Sequence, residues 1–129
     1  MSRYEEQLDQ LIDGTLDNST FKHVNHIGVA FEALQRERFF DAMATVANGI
    51  TAAAQRAGAP KKFNATITMA YMSEIAERME AKDYADADSF IAANPDLSSG
   101  SVLSRYSNGR AVSAKARRIA LLPDLAPAA

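Results

Sequence analysis

The sequence predicts an all-α single domain, a helical bundle of about five main helices with a less regular C-terminal segment packed back on it. Three observations lead there. Alanine is abundant and β-branched residues are scattered. Apolar residues recur at helical spacing through most of the chain, and no segment alternates apolar and polar residues as a half-buried strand would.

The first helix is expected over about Tyr4 to Asp13, with Tyr4, Leu8, Leu11 and Ile12 as its apolar stripe and Gly14 as its C-terminal cap. Asp17-Asn18-Ser19-Thr20 then supplies side-chain oxygens for the free amides that open a second helix, which runs to about Glu37 with Phe21, Val24, Ile27, Ala30, Phe31 and Leu34 inward. A third helix spans roughly Phe39 to Ala57 and ends at Gly58-Ala59-Pro60. A fourth runs from about Phe63 to Ala81 with Ile67, Ala70, Tyr71, Ile75 and Met79 inward. Asp83 is expected to cap a short fifth helix through Ala93, stopped by Asn94-Pro95. Beyond it, Val102 to Tyr106 reads as one or two turns, Asn108-Gly109 as a turn, Ser113 as the cap of a short helix through Ile119, and Leu122 to Pro127 as an extended tail. Residues 1–17 thus form an N-terminal helix and turn, 18–94 the helical core and 95–129 the short helices and tail. No repeat or linker divides them.

Composition narrows the function. A chain of 129 residues, 47% hydrophobic, is long enough to bury a real core. Fourteen basic against sixteen acidic residues give a net charge of −2, so no broad attraction to nucleic acid or to an anionic membrane follows. The absence of cysteine excludes disulfides, zinc-thiolate sites and thiol catalysis. No apolar run approaches the roughly 20 residues of a membrane span, and the acidic start Met1-Ser2-Arg3-Tyr4-Glu5-Glu6 lacks a signal peptide's apolar core. The expected location is the cytoplasm.

The one concentration of chemistry is His23 and His26, the chain's two histidines, inside Phe21-Lys22-His23-Val24-Asn25-His26-Ile27. At about 100° per residue a spacing of three puts both imidazoles on one helix face. Imidazole is the side chain that most readily binds metal or moves protons near neutral pH. On the fourth helix, Asn64, Thr68 and Tyr71 share a side through spacings of four and three, and they add neutral donors and acceptors. Arg105 is a conditional anchor for a carboxylate or phosphate.

The order of motifs resembles a family of small, largely uncharacterised all-helical bacterial proteins. The matching stretches are Gly14-Thr15-Leu16, Phe21-x-His23-x-x-His26-Ile27-x-x-Ala30, Gly58-Ala59-Pro60-x-Lys62-Phe63-Asn64-x-Thr66-Ile67-Thr68-x-Ala70, Leu103-x-Arg105-Tyr106-Ser107 and Pro123-Asp124-Leu125-Ala126-Pro127. The similarity runs from about Leu11 to Pro127. It implies a helical fold and a pocket built from His23, His26 and position 64, with Arg105 and Tyr106 contributing from the C-terminal part. It carries no established activity. Relatives often have histidine where this chain has Asn64, which weakens any metal site that needs a third imidazole.

Three functions follow as expectations. The first is small-ligand binding, extending to an enzyme of a biosynthetic or modifying pathway, with His23 and His26 as hydrogen-bonding or acid–base groups and Asn64, Thr68, Tyr71, Arg105 and Tyr106 as ligand contacts. The second is a divalent metal held by the histidine pair, with Asp17 or Glu74 as candidate carboxylates; a stable site normally needs three or four ligands. No other cofactor is expected. The third is a non-catalytic accessory subunit or homodimer using Phe39-Phe40 and the proline-bearing tail.

Each residue also has a structural reading. The histidines can border a core with backbone partners, Asn64 can cap the fourth helix, Thr66 and Thr68 can be packing residues, and Arg105 and Tyr106 can pin the C-terminal segment. Met69, Met72 and Met79 read as gap fillers. Lys61-Lys62 is too short for a nucleic-acid patch, and Lys115, Arg117 and Arg118 read as a solvated helix face.

Overall fold

The computed structural model describes residues 2–127, which form six helices. These are α1 (Arg3–Asp13), α2 (His23–Arg36), α3 (Phe39–Arg56), α4 (Ala65–Ala81), α5 (Ala87–Ala93) and α6 (Ala114–Arg118). Short 3-10 turns lie at Asn18–Thr20, Pro60–Lys62, Pro95–Ser98 and Ser101–Leu103. No strand occurs among the described residues. Among the described residues, no helix is long and apolar enough to cross a membrane.

Local chemistry sets the helix ends. Ser2 and Glu5 satisfy each other's backbone amides at the start of α1, and Gly14 closes it in the left-handed conformation, φ 84°, donating to the Gln10 carbonyl. The second helix begins two residues later than its apolar pattern suggests. Asp17 caps the 3-10 turn through the Ser19 amide, and Phe21 stays outside the helix. Asn25 accepts from the Lys22 amide at 2.9 Å, while the Phe21 ring lies 4.4 Å from the His26 ring. An aromatic just before the cap packed on the fourth helical residue is a staple that fixes how the chain enters the helix. The fifth helix is capped by Asp86, which accepts from the Ser89 amide at 2.8 Å, and not by Asp83. Tyr84 intervenes because its ring packs edge-on against Phe90, which holds that stretch out of the helix. Ser113 caps α6 as the sequence suggests.

The middle of the bundle is α2, which packs against α1, α3, α4 and α5. Its buried face, Ile27, Ala30 and Phe31, meets Tyr4, Leu8 and Leu11 of α1, Ala42 and Val46 of α3, Met72 and Ile75 of α4, and Phe90 of α5 in one core. Gly28 permits the close approach of α1, since a Cβ there would overlap the Tyr4 ring. The first turns of α2 lie beside the first turns of α4, as His23 and Tyr71 show, and their last turns lie together around Phe31, Leu34, Ala76 and Met79, so α2 and α4 point the same way and begin at the same end of the bundle.

The C-terminal segment packs on α4 around a smaller cluster, Ala70, Tyr106 and Ala111. Thr66 is its knot. This fully buried hydroxyl lies 2.9 Å from both the Ala116 and Ile119 carbonyls, which share its one hydrogen, and accepts from the Leu121 amide at 2.9 Å. The tail is then tied down by Tyr106 Oη donating to the Leu121 carbonyl, by Ser107 donating twice to Asp124, and by the Arg105 carbonyl accepting from the Asp124 and Leu125 amides.

Candidate functional site

A hollow of about 330 Å3 opens between the first half of α2, the middle of α3 and the first turns of α4. Its walls are apolar: Ile27 and Ala30 from α2, Val46 and Ile50 from α3, and Ile67, Met72 and Ile75 from α4. His23, His26, Lys62, Asn64, Thr68 and Tyr71 supply the polar groups. Helical periodicity explains the selection, because positions three and four apart on each helix turn to the same side.

The two histidines line this hollow in different states. His23 is the first residue of α2 and is exposed. Its Nε2 lies 3.1 Å from the Leu97 carbonyl oxygen, and its ring stands edge-on to Tyr71, centroids 5.3 Å apart at 85°. A carbonyl only accepts, so Nε2 carries the hydrogen and Nδ1 is left as the acceptor of the neutral ring. His26, one turn on, is mostly buried beneath Phe21. Burial, reinforced by the like charge of His23, pushes its pKa down to about 4. At neutral pH it is an uncharged imidazole. Burial also raises the Tyr71 hydroxyl, which stays protonated. Among the described residues, Lys62 is thus the one permanently charged side chain on the wall, and no carboxylate lines it.

The remaining candidates divide. Thr68 and Tyr71 line the hollow as their spacing suggests. Asn64 borders it too, but its side chain is engaged: Oδ1 accepts from the Ile67 amide at 2.9 Å and Nδ2 donates to the Ala111 carbonyl at 2.7 Å. It is thus the cap of α4 and a tether for the C-terminal segment as well as a residue of the wall, with one N–H and one Oδ1 lone pair left over. Arg105 and Tyr106 do not line the hollow. Tyr106 is buried in the small cluster on α4 and Arg105 holds the tail through its carbonyl while its side chain is exposed, so both pin the segment. The tail accordingly runs over α4 and closes no side of the hollow; the neighbour that reaches His23 is the turn carrying Leu97. Glu74 pairs with Arg78 at 2.8 Å and Asp17 caps the turn before α2, so neither turns to the histidines. Among the described residues, no three His, Cys, Asp or Glu side chains gather where they could hold a metal ion. Phe39 packs against the core, whereas Phe40 is 80% exposed.

Lys62, Phe21, Val46 and Ile50 belong to the site or its support, and the sequence gives them other roles. Only Lys62 left a trace, standing two residues before the cap of α4 and hence at the end of the bundle where α2 also begins. No family model, curated protein or solved structure matches this chain.

Proposed function

We propose that the protein binds a small organic ligand in the hollow between α2, α3 and α4. The observation that carries this reading is the composition of that space, an apolar chamber into which a few polar groups, His26, Thr68 and Tyr71 among them, are set. Small-molecule sites have this make-up, with apolar walls for affinity and sparse polar groups for orientation. The state of His26 favours binding over proton abstraction. A ring that releases its proton at about pH 4 is a weak base, and near neutrality it serves as a hydrogen-bond partner. A divalent cation would find two imidazoles here, short of the three or four ligands a stable site needs.

Thermal-shift screening of a metabolite panel tests the proposal, run in parallel on the parent, His26→Ala and Ile50→Phe, the last of which fills the hollow. A ligand that binds the folded state at 100 times its Kd stabilises it by about 2.7 kcal/mol, several degrees in a domain of this size. Hits are expected to stabilise the parent and to lose that effect in both variants. Equal stabilisation of all three proteins would place the ligand elsewhere.

A further inference from the structure

We infer that the ligand of this hollow is a small apolar molecule carrying one anionic group, with Lys62 as the anchor for that group and the chamber beneath as the seat for its apolar body. The inference rests on the pocket reading above and specifies its chemistry. The charge inventory of the wall decides the sign. Of the polar side chains that line it, Lys62 is a cation, the imidazole of His26 is neutral, Asn64, Thr68 and Tyr71 carry no charge, and the exposed His23, an imidazole, supplies no negative charge. No aspartate or glutamate opposes Lys62 there, and its ammonium makes no ion pair among the described residues. An unopposed cation at the edge of a low-dielectric chamber favours an anion and disfavours a second cation.

The geometry sets the orientation. Lys62 is exposed, in the turn that leads into α4, whereas Met72 and Ile75 at the inner side are almost wholly buried. The charged end of the ligand therefore stays at the mouth, where water still solvates it, and the apolar end goes inward. The positive ends of the α2 and α4 dipoles border the same mouth and add to the preference. Arg105, the anchor suggested by the sequence, does not line this space.

Matched probes separate charge from shape. Hexanoate, hexanol and hexylammonium, and phenylacetate, phenethyl alcohol and phenethylammonium, are titrated into the full-length protein while the amide and side-chain NMR signals of His26, Ile67 and Tyr71 are followed. The same titrations are run on Lys62→Met and Arg105→Met. Each acid is expected to bind at least about tenfold more tightly than its alcohol, and the ammonium ions most weakly. Lys62→Met should erase the preference while still binding the alcohols, which also shows that the variant is folded; Arg105→Met should keep it. Alcohols or ammonium ions that bind as tightly as the acids overturn the charge inference and leave the pocket standing. A preference that survives in Lys62→Met overturns the assignment of the anchor. Failure of every probe to move those signals overturns both the inference and the pocket reading.

Discussion

His23 Nε2 lies 3.1 Å from the carbonyl oxygen of Leu97, 74 residues further along the chain. The bond spans the start of α2 and the turn after α5, and that turn is itself held from α4. Arg78 donates to both Asp96 carboxylate oxygens at 2.8 and 2.7 Å, to Asn94 Oδ1 at 3.1 Å and to Glu74 at 2.8 Å. Paired hydrogen bonds between guanidinium and carboxylate fix orientation as well as distance. Asp96 precedes Leu97, so the clamp sets where the carbonyl points and with it the His23 tautomer. Nitrogen-detected NMR of the neutral His23 ring should show hydrogen on Nε2 in the parent. Arg78→Met should give a mixture of tautomers with the fold retained. An unchanged single tautomer in the variant would show that the clamp does not position His23.

His26 makes stability depend on pH. Its folded-state pKa, about 4, lies below the ordinary 6.5. Between these values the unfolded chain takes up a proton that the folded chain refuses. Stability is therefore highest above pH 6.5 and falls with acidification until about pH 4, by on the order of 2 to 3 kcal/mol. The carboxylates of Asp96 and Asp124, held low by hydrogen bonds from Arg78 and from Ser107 respectively, act in a separate window below their ordinary 3.8. Urea denaturation at pH 7 and pH 4.5 should show the loss in the parent and a flattened response in His26→Phe. A parent curve with no slope across that interval would contradict the buried neutral state.

Thr66→Val keeps the shape of a fully buried side chain and removes its hydroxyl. The Leu121 amide loses its acceptor, and the Ala116 and Ile119 carbonyls lose a shared donor. Stranding buried polar groups costs about 1 to 3 kcal/mol each where water cannot replace the partner. An overall loss of about 2 to 3 kcal/mol is expected, with faster hydrogen exchange at Leu121 and its neighbours than at α1 or α2. A variant as stable as the parent would mean that the knot is dispensable.

Much of the architecture was legible in the sequence because helical periodicity and caps are local signals. Gly14, Ser113 and the Asn94-Pro95 stop all mark real boundaries. Two boundaries misled for a shared reason. Phe21 and Tyr84 fit the apolar pattern of the helix that follows, yet each is held outside it by its ring, packed on His26 and Phe90. Periodicity registers that a residue is apolar and not whether its backbone has entered the helix. The site was legible where it lies on one face of one helix: His23 with His26, and Thr68 with Tyr71. Contacts far apart in sequence were not. Asn64 and Ala111 are 47 residues apart, and nothing local separates an asparagine that caps and tethers from one that also greets a ligand. Lys62 has an ordinary surface composition around it; only the parallel course of α2 and α4 brings it beside the histidines.

The opening turns of α4 serve two structures at once. Asn64 and Thr66 hold the final segment, while Ile67, Thr68 and Tyr71 face the cavity between them and α2. If the proposed ligand stiffens this stretch, linkage requires that it favour the docked C-terminal segment by the same factor by which docking of that segment tightens its binding.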